Sequence, residues 1–368
     1  MEQYKKKIAF CITSMNRARH LKETLKKNMD DNNQPDEAEF VLMDYNSTDG
    51  LEEWVRSELT LYITSGLLVY YKTLTPATYL RSHSRNMAFR LSDARIVCNL
   101  DADNFLGRGF ARFMIDEFDK YENIFYLSNL TKNIYGRVCL LREDFDRVRG
   151  YNEAFSGYGY EDDDLYNRLR KIGLFYKQFF IPAFSRSIDH AGEDRVSEEY
   201  YTKNIRQLFL HYINPFSTKL LLLLGNGTFE TGVLVDNRHL SRNIFDSSIA
   251  HFNMVVDKRF RNTIEGGWTT GALHETETGD MILTADNQSV TLLKRGDTLI
   301  DGQCVYHKLT NEQLLSDLFS LLTEALNYMK SADYCNDESI THPEINKEGY
   351  GRGTVYRNFN YEYEIVLK

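Results

Sequence analysis

Cysteine is scarce in this chain, and the five present, Cys11, Cys98, Cys139, Cys304 and Cys335, include no CxxC pair. The count is odd, and Cys11, Cys98 and Cys139 fall in apolar, strand-like runs. Reduced core thiols in a cytoplasmic protein account for them best. Proline is also rare, at 5 of 368 residues, and with 42% hydrophobic and 26% charged residues nothing in the composition suggests disorder. Long apolar runs are missing: the longest aliphatic block is Leu220 to Leu224, so no transmembrane segment is expected. The apolar part of MEQYKKKIAFCITS is too short for a signal peptide and reads as a first strand. Basic charge is lacking as well. A net charge of −9 argues against a nucleic-acid partner, although an acidic protein can still hold an anionic nucleotide through a metal ion. The Lys5-Lys6-Lys7 tip reads as a solvated start of the first strand and leaves peripheral membrane contact open.

What is present is alternation. Apolar runs at 7–14, 39–45, 67–74 and 94–103 read as strands, and 16–29, the LEEWVRSEL segment after Gly50, and 84–92 read as helices between them. That order implies an α/β class with a mostly parallel sheet, whose ligands bind beyond the carboxyl ends of the strands. Asp44, Asp101 and Asp103 stand at such ends. Near Asn214-Pro215 the pattern changes to short strand-like segments over about 225–308, followed by an amphipathic helix over 311–330 and a β-patterned terminus. The expected division is therefore 1–220 for the α/β domain and 221–368 for a β-rich accessory domain with one long helix. There is no internal repeat and no low-complexity tract.

Four groups of residues suggest chemistry. Asp101-Ala102-Asp103 closes a strand, where two carboxylates two residues apart point the same way, and hard oxygen ligands suit Mn²⁺ or Mg²⁺. Glu161-Asp162-Asp163-Asp164 follows Gly157-Tyr158-Gly159-Tyr160. Helix capping accounts for one or two of these acids, while mutual repulsion raises a carboxyl pKa and suits a general base. His190, after Asp189, is either a structural histidine or a metal ligand. Arg17, Arg81 and Arg85 are either solvated side chains or forks for a pyrophosphate.

Taken in order, these pieces resemble the GT-A glycosyltransferases, whose fold is a Rossmann-like nucleotide-sugar-binding sheet flanked by helices. ITSMNRARHL, MDYNSTDG, SRNMAF and LDAD are similar to the successive motifs of the large bacterial family 2. YGRVCLL, FDRVRGYNEAF and YGYEDDDLYNRL are similar to those of the β-1,4-galactosyltransferase type, and together the matches cover about residues 7–195. The resemblance implies that Asp44 holds a uracil edge, Thr13, Arg17 and Arg85 belong to the donor site, Asp101 approaches the ribose, and Asp103 and His190 hold the metal. It also implies that Asp162 is the catalytic base, that Glu161 and Asp163 bind acceptor hydroxyls, and that Tyr158 replaces a Trp packed on both sugars. Tyr160 stands where that type has Gly, and Ser187 where it has a Met ligand.

The implied activity is inverting, metal-dependent transfer of a hexose or N-acetylhexosamine from a nucleotide-diphosphate sugar, UDP-linked, to a saccharide or glycolipid hydroxyl. The setting implied is polysaccharide or glycoconjugate synthesis, with oligomerisation left open. Loops 156–160 and 185–200 are expected to close over the donor. Two other readings compete. A sugar-1-phosphate nucleotidyltransferase would have a Gly-rich loop after the first strand, and TSMNRARH has no Gly. A non-catalytic carbohydrate-binding protein would not need the acid cluster. The second domain either grips a glycan, with Trp268, or serves as scaffold.

Overall fold

A computed structural model describes the chain except for residues 1–3, 129–132, 190–195, 215–216, 237–261, 311, 336, 338 and 341–343. The chain divides into two compact units. One comprises Met1–Ser156, Tyr160–His190 and Asp333–Lys368, and the other Gly157–Gly159 and Ala191–Ala332.

The first unit is built on a nine-stranded sheet. Its central strands are β1 (Lys6–Ser14), β2 (Ala38–Tyr45), β3 (Leu68–Thr73) and β4 (Ala94–Asn99), in the parallel order β3-β2-β1-β4. The short β5 (Asn104–Phe105) lies outside this sheet, which continues from β4 through β7 (Val138–Leu141), β6 (Ile124–Leu127) and β8 (Phe175–Gln178). The middle strand shows why a continuous apolar run is needed. Ile8, Phe10 and Ile12 join one core with Leu21, Leu25 and Met29 of the helix Ala18–Asp31, while Ala9 and Cys11 join a second core with Met87 and Phe89 of the helix Arg81–Leu91. A strand covered on both faces loses the polar alternation of a half-exposed one. β1 pairs with β2 on one side and β4 on the other, which opens a crevice at its carboxyl end.

β5 pairs antiparallel with β9 (Arg186–Ser187), Asn104 opposite Ser187. This differs from the sequence expectation, which ran the fourth strand through Asp103. β4 ends at Asn99, and Asp101–Asn104 form a turn closed by the Asn104 N–H on the Asp101 carbonyl at 3.0 Å. The two carboxylates therefore do not share a face by strand alternation.

The second unit contains a closed antiparallel barrel. Its strands are β10 (Ile205–Asn214), β11 (Ser217–Leu224), β12 (Thr228–Asp236), β13 (Asn262–Glu275), β14 (Met281–Ala285), β15 (Gln288–Arg295), β16 (Thr298–Asp301) and β17 (Cys304–Lys308). The Leu220–Leu224 block is explained here: Leu220, Leu222 and Leu224 pack with Leu318, Phe319 and Leu322 of the helix Glu312–Cys335, and Leu221 and Leu223 pack in a second cluster with Phe229 and Met281. Trp268 covers Gly232 so closely that a Cβ there would come within 2.4 Å of the ring, and its Nε1 donates to Glu230 at 2.9 Å.

The expected boundary at residue 220 also differs from the observed division. β10 and β11 lie in the barrel, and the last two strands, β18 (Gly353–Arg357) and β19 (Asn360–Leu367), return to the first sheet, β18 pairing antiparallel with β3. The Asn358 N–H donates to the Tyr70 carbonyl at 2.8 Å, its side-chain oxygen accepts the Tyr70 N–H at 3.0 Å, and Phe359 packs on the Tyr70 ring. Among the described residues, no helix is long and apolar enough to cross a membrane.

Candidate active site

The four acids share one helix N-terminus and diverge from it. The helix Glu161–Lys171 has its acids in the first turn and Arg168, Arg170 and Lys171 in the last, which suits the helix dipole at both ends. Each residue turns about 100° from its neighbour, so Asp163 and Asp164 meet surroundings different from those of Glu161 and Asp162. Asp164 points inward. It is fully buried, paired with Arg168 at 2.7 Å and bonded by the Tyr334 hydroxyl at 2.7 Å, while Arg168 also donates to the Val148 and Gly150 carbonyls. Asp163 accepts from the Tyr135 hydroxyl at 2.6 Å.

Glu161 and Asp162 meet on Arg85. The buried guanidinium donates from Nη1 to Asp162 Oδ1 at 2.9 Å and to Glu161 Oε1 at 3.2 Å, and from Nη2 to Asp101 Oδ1 at 3.4 Å. Asn99, the last residue of β4, bridges Asp101 Oδ1 (3.1 Å) and the Gly136 carbonyl (2.9 Å). Gly136 faces the cluster. A Cβ there would lie 3.0 Å from Asp162 Oδ2, 3.1 Å from Arg85 Nη2 and 3.4 Å from Asp101 Oδ2. Burial pushes the Asp162 carboxyl up to about 7; Arg85 pulls it down, and repulsion from Glu161, Asp101 and Asp163 pushes it up again. A carboxyl held there is suited to accept a proton near neutrality.

Thr13 reaches this cluster indirectly. Its hydroxyl lies 2.5 Å from the Tyr79 hydroxyl, the Arg81 guanidinium lies over the Tyr79 ring, and Arg81 Nε stands 3.5 Å from Glu161 Oε1. Asp103 belongs to a neighbouring network. Its Oδ1 accepts from Asn104 Nδ2 at 2.7 Å, its carbonyl accepts the Ile188 N–H at 2.8 Å, and Asn133 Nδ2 donates to Asp189 Oδ1 at 2.9 Å.

Other candidate residues lie outside this cluster. Asp44 is fully buried and held from three sides, by the Ser47 N–H (2.7 Å), the Tyr70 hydroxyl (2.5 Å) and Lys72 (3.5 Å), with burial raising its carboxyl. Asp44 is thus fixed at the carboxyl end of β2 by its own protein partners. Arg17 is half-buried, and its carbonyl accepts the His20 and Leu21 amides in the first turn of the helix Ala18–Asp31. Tyr158 belongs to the second unit, where Thr323 bonds both its N–H (3.2 Å) and its carbonyl (2.6 Å) and Asn327 holds the Gly159 carbonyl (2.9 Å). Within the expected loop 156–160, residues 157–159 belong to the second unit and make these bonds there. Gly157 is required, because φ is +75° and a Cβ would come within 2.4 Å of Thr323 Cγ2. His190 and residues 191–195 of the 185–200 loop lie outside the described residues.

The sequence assigns no role to Asn99, Tyr135 or Gly136, although Tyr135 and Gly136 lie in YGRVCLL, one of the segments that carry the resemblance. Tyr160 departs from the galactosyltransferase-type pattern, and its backbone explains why a Gly suits that position. It sits at φ +71° immediately before the helix, a left-handed geometry that a bulky residue adopts at a cost of order 1 kcal/mol.

Comparison with known proteins points to the same segment. Residues 120–187 match the family described as the N-terminal domain of galactosyltransferase. Over 71 residues the chain is 38% identical to human β-1,4-galactosyltransferase 5, and equally to the mouse protein. That stretch is 19% of this chain and spans only 18% of those relatives' own length. Similar solved structures include a mannosyltransferase of Pyrobaculum calidifontis in complex with GDP-Man and Mn²⁺ (TM-score 0.41, 17% identity, 48% of this chain and 55% of that one). S. aureus TarS in complex with UDP gives TM-score 0.41 and 13% identity over 49% of this chain and 59% of that one. The Drosophila β-1,4-galactosyltransferase 7 catalytic domain with xylobiose gives TM-score 0.38 and 14% identity over 53% and 75%. The matched residues 120–187 contain Gly136 and all four acids of the helix N-terminus.

Proposed function

We propose that the chain is an inverting, divalent-metal-dependent glycosyltransferase that moves a hexose or N-acetylhexosamine from a UDP-sugar to a saccharide hydroxyl. The observation that carries this reading is the placement of Asp162: an acid raised to about 7, beside Arg85 and Asp101, within the galactosyltransferase-matched segment.

Among the described residues, no group of three or more His, Cys, Asp or Glu is assembled at ligand distances. Asp103 is nonetheless an oxygen donor beside the Ile188-Asp189 segment, and hard oxygen ligands in small number fit Mn²⁺ or Mg²⁺, which keep positions open for phosphate. Asp103, with His190, would hold the ion. When bound, it supplies positive charge to the leaving diphosphate.

The protein groups do the rest. Arg85 and Arg81 offer cationic forks to the donor, and Asp101 lies within the same cluster for the ribose side. Asp162 accepts the proton of the acceptor hydroxyl, whose oxygen forms the bond to the anomeric carbon as the bond to phosphate breaks on the opposite face. Configuration inverts. Glu161 and Asp163 flank Asp162 and receive acceptor hydroxyls.

The deciding variant is Asp162→Asn, assayed for sugar transfer and for thermal unfolding. A base contributes about 10²–10⁴-fold, so transfer should fall by that factor while the fold survives. Transfer at the wild-type rate in the folded variant rejects the assignment.

A further inference from the structure

Two fully buried side chains stand beside Asp103 and take no part in the reaction above: Asn104 and Arg137. Burying a guanidinium is costly unless its donors are satisfied, and a core position at the start of β7 would be filled more cheaply by an aliphatic residue. Arg137 directs Nη1 and Nη2 to neutral acceptors, while its buried Nε has no hydrogen-bond partner among the described residues. Nη2 reaches Asn104 Oδ1 at 2.9 Å and the Phe105 carbonyl at 3.1 Å, and Nη1 reaches the Phe184 carbonyl. These acceptors belong to two separate segments, β5 and the turn that leads into β9.

The consequence falls on the Asn104 amide. Arginine can only donate, so the amide oxygen must face Arg137 and the NH₂ group must face the other way. There it donates to Asp103 Oδ1 at 2.7 Å and to the Asn133 carbonyl at 2.9 Å. The main chain is pinned too, by the Ile188 N–H on the Asp103 carbonyl at 2.8 Å and the pairing of Asn104 with Ser187. Arg137 thus fixes which way Asn104 points, and Asn104 fixes one carboxylate oxygen of Asp103.

We propose that Arg137 and Asn104 form a positioning relay that presets the Asp103 carboxylate for a divalent cation. The proposal rests on the reading of Asp103 as a metal ligand. Partners of this kind orient a ligand without touching the ion, and their loss weakens metal affinity about 10–100-fold.

The test is Mn²⁺ binding to the full chain without donor or acceptor, followed by the electron paramagnetic resonance of free Mn²⁺ and by calorimetry. Thermal unfolding of each variant is measured alongside. Asn104→Ala should weaken Mn²⁺ binding about 10–100-fold while still unfolding cooperatively. Arg137→Lys keeps the charge but loses the fork, and should bind with intermediate affinity. It carries the test if Asn104→Ala fails to fold. Wild-type affinity in folded Asn104→Ala or Arg137→Lys, with binding abolished by Asp103→Ala, overturns the relay and leaves the metal reading intact. If wild-type protein takes up no Mn²⁺, or Asp103→Ala binds it as well as wild type does, the metal reading fails and the relay with it.

Discussion

Arg85 donates to Asp162 at 2.9 Å from inside the core, while the same guanidinium reaches Asp101 and Glu161. One buried cation therefore restrains three carboxylates, and it is the group that keeps Asp162 from rising further above the ordinary carboxylate range.

A pH dependence follows. Asp162 must be deprotonated to accept a proton, and its carboxyl is raised to about 7, so kcat/KM should climb with pH through about 7 and level off above it. Arg85 lowers that value, so Arg85→Gln should move the acidic limb to higher pH besides weakening donor binding. A pH–rate profile of both proteins checks the sign: a limb that stays in place or moves down contradicts the electrostatic account.

Gly136 should be intolerant of even a methyl group. The added Cβ of Gly136→Ala would crowd Asp162 Oδ2 and Arg85 Nη2 at 3.0–3.1 Å. The backbone there is not in the left-handed region, so the fold should survive. Transfer is expected to fall by about tenfold or more, since a displacement near 1 Å can cost about 10²-fold. Steady-state kinetics and a melting curve on the same preparation measure both halves.

Neighbouring acids should fail in opposite ways. Asp164 is paired with Arg168 in a site that is 0–1% exposed, and breaking a buried pair costs about 3–5 kcal/mol, so Asp164→Asn should unfold far more readily. Asp162→Asn removes a carboxylate that burial disfavours, so its stability above pH 7 should match or exceed wild type while its transfer collapses. Urea unfolding of the two variants separates the structural acid from the chemical one.

In the second unit, Gly157→Ala meets both a left-handed φ and Thr323 at 2.4 Å. Overpacking of this kind costs about 1–3 kcal/mol, which a drop in melting temperature should reveal.

Much of this was legible because it depends on local pattern. The apolar runs of β1 to β4 announced a parallel sheet, and their carboxyl ends announced the crevice. The rest depended on contacts that sequence spacing does not carry. Asp162 and Asp164 are the same letter, and only helix direction separates the acid facing Arg85 from the one facing Arg168. The four-residue spacing of Asp164 and Arg168 was a usable clue to that pairing. Asp101 and Asp103 were expected on one strand face, but β4 ends at Asn99 and a turn sends them to different partners. β18 shows a strand pattern but nothing to say that its partner is β3. Asn104 and Arg137 are ordinary residues in sequence, and their joint position beside Asp103 arises only when β5, β7 and β9 assemble.

The most direct test of the central claim is nucleotide release from a panel of nucleotide-diphosphate sugars, with and without Mn²⁺, in the presence of saccharide acceptors. The account expects release of UDP from at least one donor, dependent on the metal and lost in Asp103→Ala. No release from any donor, together with no metal-dependent nucleotide binding, would contradict it.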